Sequence, residues 1–371
     1  MKILITGGAG YIGTELVKKL VNHPEVEEII IYDNLTRGSY SFFLTHGIGG
    51  DHIRFVQADL LNTRKIKKIV KEVDVVYHLA ARIQTPFAET DPHLFEQVNH
   101  WGTAELTYAL EEATNIKAFI HISSISVYGA STKGKYLNDQ SKVNPRTNYG
   151  ISKMRGEGFV ERLMKLNKFP VYLLRVGNVY GHSNSMRFDA VINKFAFEAN
   201  FLNRINIHGD GQQTRAFIHV NQLTNNLAQI PFKKIPSGIY NMIDSNHSIM
   251  DIAMLLKDLI PDMEMLFINQ HLKLKDMLVD EDCKIYEYLE AIYATIIEKD
   301  ITQRHQINDK RAFGNMVKFV ASNIGNALSP NNISNTLKQN AQSIHHATVE
   351  KYLEYLTASF VFYKVHRFDL K

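Results

Sequence analysis

A single cysteine, Cys283, leaves this 371-residue chain without a partner for an internal disulfide. That excludes a cystine-stapled secreted scaffold and suits a reducing compartment, so a cytoplasmic protein is expected. No uninterrupted apolar run reaches the length of a bilayer-spanning helix, so no membrane segment is expected. The N-terminus opens on a strand pattern with glycines rather than on a basic, apolar leader, so no signal peptide is expected. An excess of one charge is also missing: 42 Lys and Arg against 38 Asp and Glu give a net +4, too little to imply a polyanion partner. There is no low-complexity stretch and no clear repeat. What remains is an ordinary globular composition, 45% hydrophobic and 22% charged, sized for one two-lobed unit and a small appendage.

Residues 2–6 (KILIT) read as a short buried strand, followed by glycines at 7, 10 and 13. From Thr14 to Leu20 the apolar residues fall at 16, 17 and 20, which is helical spacing. Strand, glycine turn and helix together make a dinucleotide cradle. Gly7 permits the tight turn, Gly10 lets backbone approach a pyrophosphate, and Gly13 lets helix and strand pack. The helix N-terminus at Tyr11, Ile12 and Gly13 offers N–H groups to phosphate. A second strand, 28–32, ends in Asp33, 20 residues past Gly13, where an acid holds ribose hydroxyls and disfavours a 2′-phosphate. NAD is therefore expected over NADP, with Asn34 beside it and Arg37 pulling the other way. A third strand, 55–60, places Asp59 and Leu60 at the adenine. A fourth, 74–81, ends in Leu79 and then the small residues Ala80 and Ala81, where backbone can pass close to the cofactor. Strands at 118–124 and 171–176 follow, with helical segments between. That alternation predicts an α/β fold with a doubly wound parallel sheet.

Tyr149 and Lys153 stand four apart on an expected helix and share a face. A free tyrosine is a poor base at neutral pH, and a neighbouring ammonium lowers its pKa. Such pairs are common on solvated helix faces. The cradle upstream and the segment SSISVYG at 123–129, at the carboxyl end of the fifth strand, give this one a functional setting.

The ordered runs TGGAGYIG, YDNL (32–35), ADLLN (58–62), HLAA (78–81), VNHWGT (98–103), SSISVYG, YGISK (149–153), RVGNVYG (175–181), GDGQQTRAFIHV (209–220) and YNMID (240–244) resemble the extended short-chain dehydrogenase/reductase family. The resemblance is to its nucleotide-sugar epimerase/dehydratase branch and runs from Met1 to about Leu278. It implies a Rossmann sheet with a smaller substrate lobe, an NAD-binding domain over 1–177 and a substrate-binding lobe over 178–278. By resemblance Tyr149 is the base, Lys153 lowers its pKa and holds the nicotinamide ribose, and Ser124 bonds the reacting hydroxyl. Ser126 lies at the substrate, Asn99 lies near the nicotinamide, and Asn178 and Arg215 hold the nucleotide phosphates. Dehydratases of the branch carry an Asp-Glu pair where this chain has Ile125-Ser126, which implies the UDP-glucose 4-epimerase group instead. The implied chemistry is reversible oxidation of a nucleotide sugar through a 4-keto form. The alternatives are a reductase or decarboxylase of the same fold, or a catalytically impaired binding module. A homodimer through 94–112 and 150–166 is also implied.

The GDGQQTR run departs from the branch at Ala216 and at Asn221-Gln222, where acids are usual. Residues 285–371 resemble instead the C-terminal region of a prokaryotic AAA-type ATPase family. No GxxxxGK[ST] loop occurs, so ATP hydrolysis is not implied. Apolar stripes (285, 289, 292, 293, 296; then 313, 316, 317, 320, 324) predict helices. Further helices are expected at 333–338 and 347–358, and a strand at 360–368. That order is winged-helix-like. With 11 Lys and Arg against 8 Asp and Glu over 284–371, DNA binding is disfavoured against a packing role. His345-His346 has no ligand set beside it, and no metal site is expected.

Overall fold

The computed structural model describes residues 1–38, 40–45, 52–83, 92–129, 137–268, 301–302, 305, 307, 309–322, 329–339 and 345–358. The chain divides into two compact units, Met1–Leu272 and Lys273–Lys371.

The first unit begins β1 (Lys2–Thr6), α1 (Tyr11–Leu20), β2 (Glu28–Asp33), β3 (Ile53–Gln57), α2 (Thr63–Val70) and β4 (Val75–His78). Then α3 (Pro92–Phe95) runs through a π-helical turn, Glu96–Trp101, into α4 (Gly102–Glu112). β5 (Ala118–Ser124), a 3-10 turn at Ile125–Tyr128, α5 (Asn148–Lys165) and β6 (Val171–Val176) follow. The chain then leaves for β7 (Asn178–Tyr180), α6 (Val191–Leu202), β8 (Arg204–His208), β9 (Thr214–His219) and α7 (Val220–Gln229). It ends in β10 (Gly238–Met242), β11 (Ser245–Ser248), α8 (Ile249–Leu259) and β12 (Glu264–Ile268).

Seven of these strands form one parallel sheet in the order β10-β6-β5-β4-β1-β2-β3. Its strands are apolar on both sides because both faces are covered. Ile3, Ile5, Ile29 and Ile31 enter one core, while Leu4, Ile30, Tyr32 and Val76 enter the other. A three-stranded sheet, β11-β9-β7, and a two-stranded pair, β12-β8, build the smaller lobe.

Three expectations are corrected here. The third strand is Ile53–Gln57 and stops short of Asp59, whose carboxylate closes a turn by accepting the Leu61 N–H at 2.9 Å. The fourth is Val75–His78 and releases the chain before the alanines. A seventh strand, β10, returns from the segment assigned to the substrate lobe and pairs with β6 in the main sheet. The two lobes are therefore interleaved rather than divided cleanly near residue 177.

In the second unit the helices Lys310–Ser322, Pro330–Gln339 and His346–Ala358 bury Phe313, Met316, Val317, Val320, Ile333, Leu337, Val349 and Leu356 in one core. The stripe read from 313 to 320 is the buried one. The stripe at 285–296, Ile324 and the strand at 360–368 lie outside the described residues.

Candidate active site

The cradle forms where β1, β2 and β4 end together. Gly7 has φ +70°, and a Cβ on it would lie 2.5 Å from the Ala80 backbone nitrogen, so the ends of β1 and β4 can meet only without a side chain there. Gly13 is pressed on the backbone of Gly7 and Gly8. A Cβ on Gly10, in contrast, would meet only the Gly7 carbonyl, at 3.2 Å. The turn is thus closed inward and open at Gly10, and α1 starts there with no side-chain cap on its first N–H groups. Tyr11, Ile12 and Gly13 lie in that first turn, in the geometry that binds a pyrophosphate.

Asp33 ends β2 as expected. Its Oδ2 accepts the Ala9 N–H at 3.1 Å and its Oδ1 the Leu35 N–H at 2.9 Å. Burial pushes its pKa up, against the pull of those N–H groups. The Asn34 amide donates to Asp59 Oδ2 at 2.8 Å, so the two expected adenosine contacts hold each other. The Leu60 side chain belongs to the core, against Gly102, and leaves only backbone for a ligand. Leu79, Ala80 and Ala81 follow β4, half-buried beside the cradle.

Behind them runs a buried chain of hydrogen bonds. Thr103 donates to the Asn99 carbonyl at 2.7 Å. Its oxygen then accepts from His78 Nε2 at 3.0 Å, which assigns the tautomer and leaves Nδ1 to accept from Thr6 Oγ1 at 2.7 Å. The Asn99 side chain clamps the chain after β4 to α5: its Oδ1 takes the Arg82 N–H, and its Nδ2 donates to the Arg82 carbonyl and to Ser152 Oγ. Asn99 is buried and saturated, so it places the segment after β4 rather than presenting its own amide to a ligand.

His121 lies next to His78, with ring centroids 5.1 Å apart, and neither of its ring nitrogens has a hydrogen-bond partner among the described residues. Burial, then the charge of Lys153, holds the His78 pKa at about 3, and the His121 pKa is also well below the usual value. The unfolded chain takes up these protons near 6.5 and the folded chain does not until far lower pH. It therefore binds more protons across that window, and stability falls as pH drops below about 6.5, by roughly 1.4 kcal/mol per pH unit per histidine. We expect the Tm to decline steadily below pH 6.5, and the slope to be shallower in His121→Leu without loss of Tm at pH 7.5. Equal slopes in thermal melts of the two proteins would contradict this assignment.

The chemical end lies at the start of α5, capped by the Thr147 side chain on the Gly150 N–H. Tyr149 is half-buried in the first turn. Burial raises its pKa, while the Ser124 hydroxyl, as hydrogen-bond partner, and then the charge of Arg187 lower it. Lys153 is buried one turn on, with Nζ donating to the Ile122 carbonyl at 2.8 Å and its pKa lowered to about 8, chiefly by burial. On balance burial prevails and the Tyr149 pKa stands above its usual value; Lys153 was expected to lower it, and Ser124 and Arg187 are the groups that oppose the rise here. Ser124 Oγ also caps the 3-10 turn by accepting the Ser126 N–H at 3.2 Å. Ser126 Oγ is buried and has no hydrogen-bond partner among the described residues, which suits a hydroxyl that binds a ligand.

On the substrate side, Asn178 is exposed at the start of β7 and donates to the Ala216 carbonyl at 3.1 Å. Arg215 is exposed on the neighbouring strand β9, opposite His247 of β11, and has no ion pair among the described residues. Sequence reasoning missed the segment 181–193. It is stitched to α1: the Tyr11 hydroxyl donates to the Gly181 carbonyl at 2.7 Å, Ser183 Oγ donates to the Tyr11 carbonyl, and the Thr14 and Ser185 hydroxyls pair at 2.8 Å. Burial raises the Tyr11 pKa to about 12, so its side chain is a neutral strut between lobes. Asp189 takes Arg187 on both oxygens, at 3.2 and 3.3 Å, and also meets Arg37 at 3.4 Å. Arg37, weighed above as a rival 2′-phosphate partner, is thus engaged by the substrate lobe. No local spacing marks Arg187, because its relevance arises only when this segment folds back over α1.

Residues 3–241 match the family described as NAD dependent epimerase/dehydratase family, and residues 278–371 match one described as Domain of unknown function (DUF8612). Human dTDP-D-glucose 4,6-dehydratase is 31% identical over 261 residues, which cover 70% of this chain and 73% of the relative. A putative UDP-glucose 4-epimerase of Methanocaldococcus jannaschii is 31% identical over 62% of this chain and 74% of its own length. The crystal structure of UDP-glucuronic acid 4-epimerase from Bacillus cereus, in complex with UDP-glucuronic acid and NAD, superposes with a TM-score of 0.65 at 26% identity, covering 72% of this chain and 86% of that one. The match over 278–371 assigns no activity to that segment and does not show the expected resemblance to an ATPase tail.

Proposed function

We propose, from the premise that the chain belongs to the NAD dependent epimerase/dehydratase family, that it interconverts nucleotide sugars epimeric at C4. NAD is the cofactor of this family and is bound in the Bacillus cereus neighbour. The cradle fits it, being open at Gly10 with Asp33 at the end of the next strand. When bound, NAD accepts the hydride from the sugar carbon and returns it. The chain's own residues supply the rest. Gly7, Gly10 and Gly13 shape the diphosphate seat. Tyr149 Oη takes the proton of the sugar hydroxyl as its carbon is oxidised to a ketone. Ser124, already the partner of Tyr149, bonds the same oxygen, and Lys153 holds the ribose beside them. The ketone turns over, presents its other face, and Tyr149 returns the proton. Asn178 and the exposed guanidinium of Arg215 hold the diphosphate during that rotation.

The observation that carries the choice of reaction is the turn at Ile125–Tyr128. It offers hydroxyls, with Ser126 Oγ unpartnered among the described residues, and the turn itself carries no carboxylic acid to expel water from a keto sugar. The dehydratase relative does not weigh against this, since removing water needs a general acid at the leaving hydroxyl. The test is to incubate the protein with UDP-galactose. We expect UDP-glucose with no net NADH. Net NADH, or a dehydrated keto sugar as product, would reject the epimerase reading.

A second reading is favoured by Arg187, whose charge acts on Tyr149 and on Tyr11. A guanidinium oriented by Asp189 and acting on the base through its charge suits a sugar carboxylate, as in a uronic acid. On that reading UDP-glucuronic acid turns over faster than UDP-galactose, and Arg187→Met removes the preference. Equal losses on both sugars would sink it.

A further inference from the structure

The segment 181–187, between β7 and α6, runs as a strap along one face of α1. Tyr11, Thr14, Glu15 and Lys18 are spaced to share that face, and each is tied to the strap. Beyond the bonds of Tyr11 and Thr14 already described, Glu15 Oε1 accepts the Asn184 N–H at 3.3 Å and Lys18 Nζ donates to Asn184 Oδ1 at 2.6 Å. Asn193, the third residue of α6 and only 4% exposed, closes the strap. Its Oδ1 accepts the Gly181 N–H at 2.9 Å, and its Nδ2 donates to the Arg187 carbonyl at 2.9 Å and to the Tyr11 hydroxyl at 3.3 Å. This orientation of the amide is forced, because a backbone N–H can only donate and a backbone carbonyl only accept. One side chain thus grips both ends of the strap and the first residue of α1. Since the Tyr11 hydroxyl donates back to the Gly181 carbonyl at 2.7 Å, the hydrogen bonds close into a ring. Burial raises the Tyr11 pKa to about 12, so the proton given to Gly181 stays in place.

We propose that Asn193 is a positioning residue for the cofactor seat: through Tyr11 it locks the strap of the smaller lobe onto the first turn of α1, so that release of NAD requires this ring of hydrogen bonds to open. The proposal rests on the reading of that turn as the diphosphate seat. The first turn of α1 has no side-chain cap, and its free N–H groups belong to the stretch that the strap holds. A seat fixed in advance loses little freedom when its ligand binds, and the gain appears as slower release. Asn193 lies on the other lobe and acts on the seat only through bonded neighbours. The amide suits the task because it supplies one acceptor and two donors at a single buried point.

The test is the rate at which the holoenzyme exchanges bound NAD for radiolabelled NAD in solution. Tyr11→Phe deletes one hydroxyl and keeps the ring in its core, while Asn193→Leu removes the amide at similar volume. Each should speed release about tenfold, the scale of one or two buried hydrogen bonds. Because both open the same ring, the double variant should release NAD no faster than Asn193→Leu alone. Ile252→Ala is the control for a merely structural effect: it hollows the core of the smaller lobe without touching the strap and should leave release unchanged. Wild-type release from the single variants, multiplied effects in the double variant, or equal acceleration by Ile252→Ala overturns the proposal. Should Asn193→Leu not fold, Tyr11→Phe against Ile252→Ala decides alone. Gly10→Val, which fills the open side of the turn, tests the premise separately and should abolish NAD binding. If that variant binds NAD as the wild type does, the reading of the seat itself fails, and the inference with it.

Discussion

Tyr149→Phe is expected to lose about 10²- to 10⁴-fold in kcat, the usual range for removing a positioned proton-transfer group. The loss should come with NAD still bound. The cradle is built from Gly7, Gly10, Gly13, Asp33 and the end of β4, and none of these contacts uses the tyrosine hydroxyl. Phenylalanine keeps the ring that packs edge-on against Phe95, 6.3 Å between centroids, so the start of α5 should not move. The hydroxyl is what Ser124 and Arg187 act on, and only that is deleted. The measurement is turnover of UDP-galactose together with the cofactor content of the purified protein. A variant that keeps more than about a tenth of wild-type turnover shows that another group moves the proton. A variant that loses NAD shows that Tyr149 belongs to the cofactor seat instead.

Arg175→Met should be the most destabilising single change in the first unit. Arg175 and Glu157 have side chains only 4% and 3% exposed and pair at 2.8 Å. Deleting one partner leaves a buried carboxylate with the Ser123 hydroxyl alone, and breaking a buried pair this way costs about 3–5 kcal/mol. For a unit of this size that is roughly 6–20 °C in Tm. It also frees Tyr128, over whose ring the guanidinium lies at 4.9 Å. The exposed pair Arg54–Glu72 serves as the control, since exposed pairs are screened by solvent and contribute little. Thermal melts of Arg175→Met and Arg54→Met separate the two cases, and similar Tm values would show that the buried pair is not structural.

The strands β1, β2, β5 and β6 were legible because each is a run of apolar residues bounded by a turn signal, and a strand covered on both faces reads as such a run. The cradle was legible because backbone geometry forces glycine at positions 7 and 13, and the forcing atoms lie close by in the fold. The third strand was placed too far along because Asp59 looks like the end of a strand in sequence, while its carboxylate in fact closes a turn. Nothing local announced β10: its five residues are half-buried at the sheet edge, with no strong pattern of their own. Arg187 was missed for a related reason: only Asp189 is local to it, while Tyr11 and Tyr149, on which its charge acts, come from two distant stretches of chain.

The sequence by itself determined the family, the nucleotide cradle, the Tyr149–Lys153 spacing and the absence of acids after Ser124. Each depends on residue types a few positions apart, and a helix or a tight turn converts that spacing directly into geometry. Only the tertiary structure decided which charges bear on those residues. It turned Lys153 to the Ile122 carbonyl, set Arg187 on Asp189 with its charge acting on Tyr149, buried Glu157 against Arg175, and saturated Asn99 with the Arg82 backbone and Ser152. The physical reason is that a pKa or a hydrogen bond is set by whatever lies within a few ångströms. In a doubly wound sheet those neighbours come from strands tens of residues apart, joined only when the sheet closes.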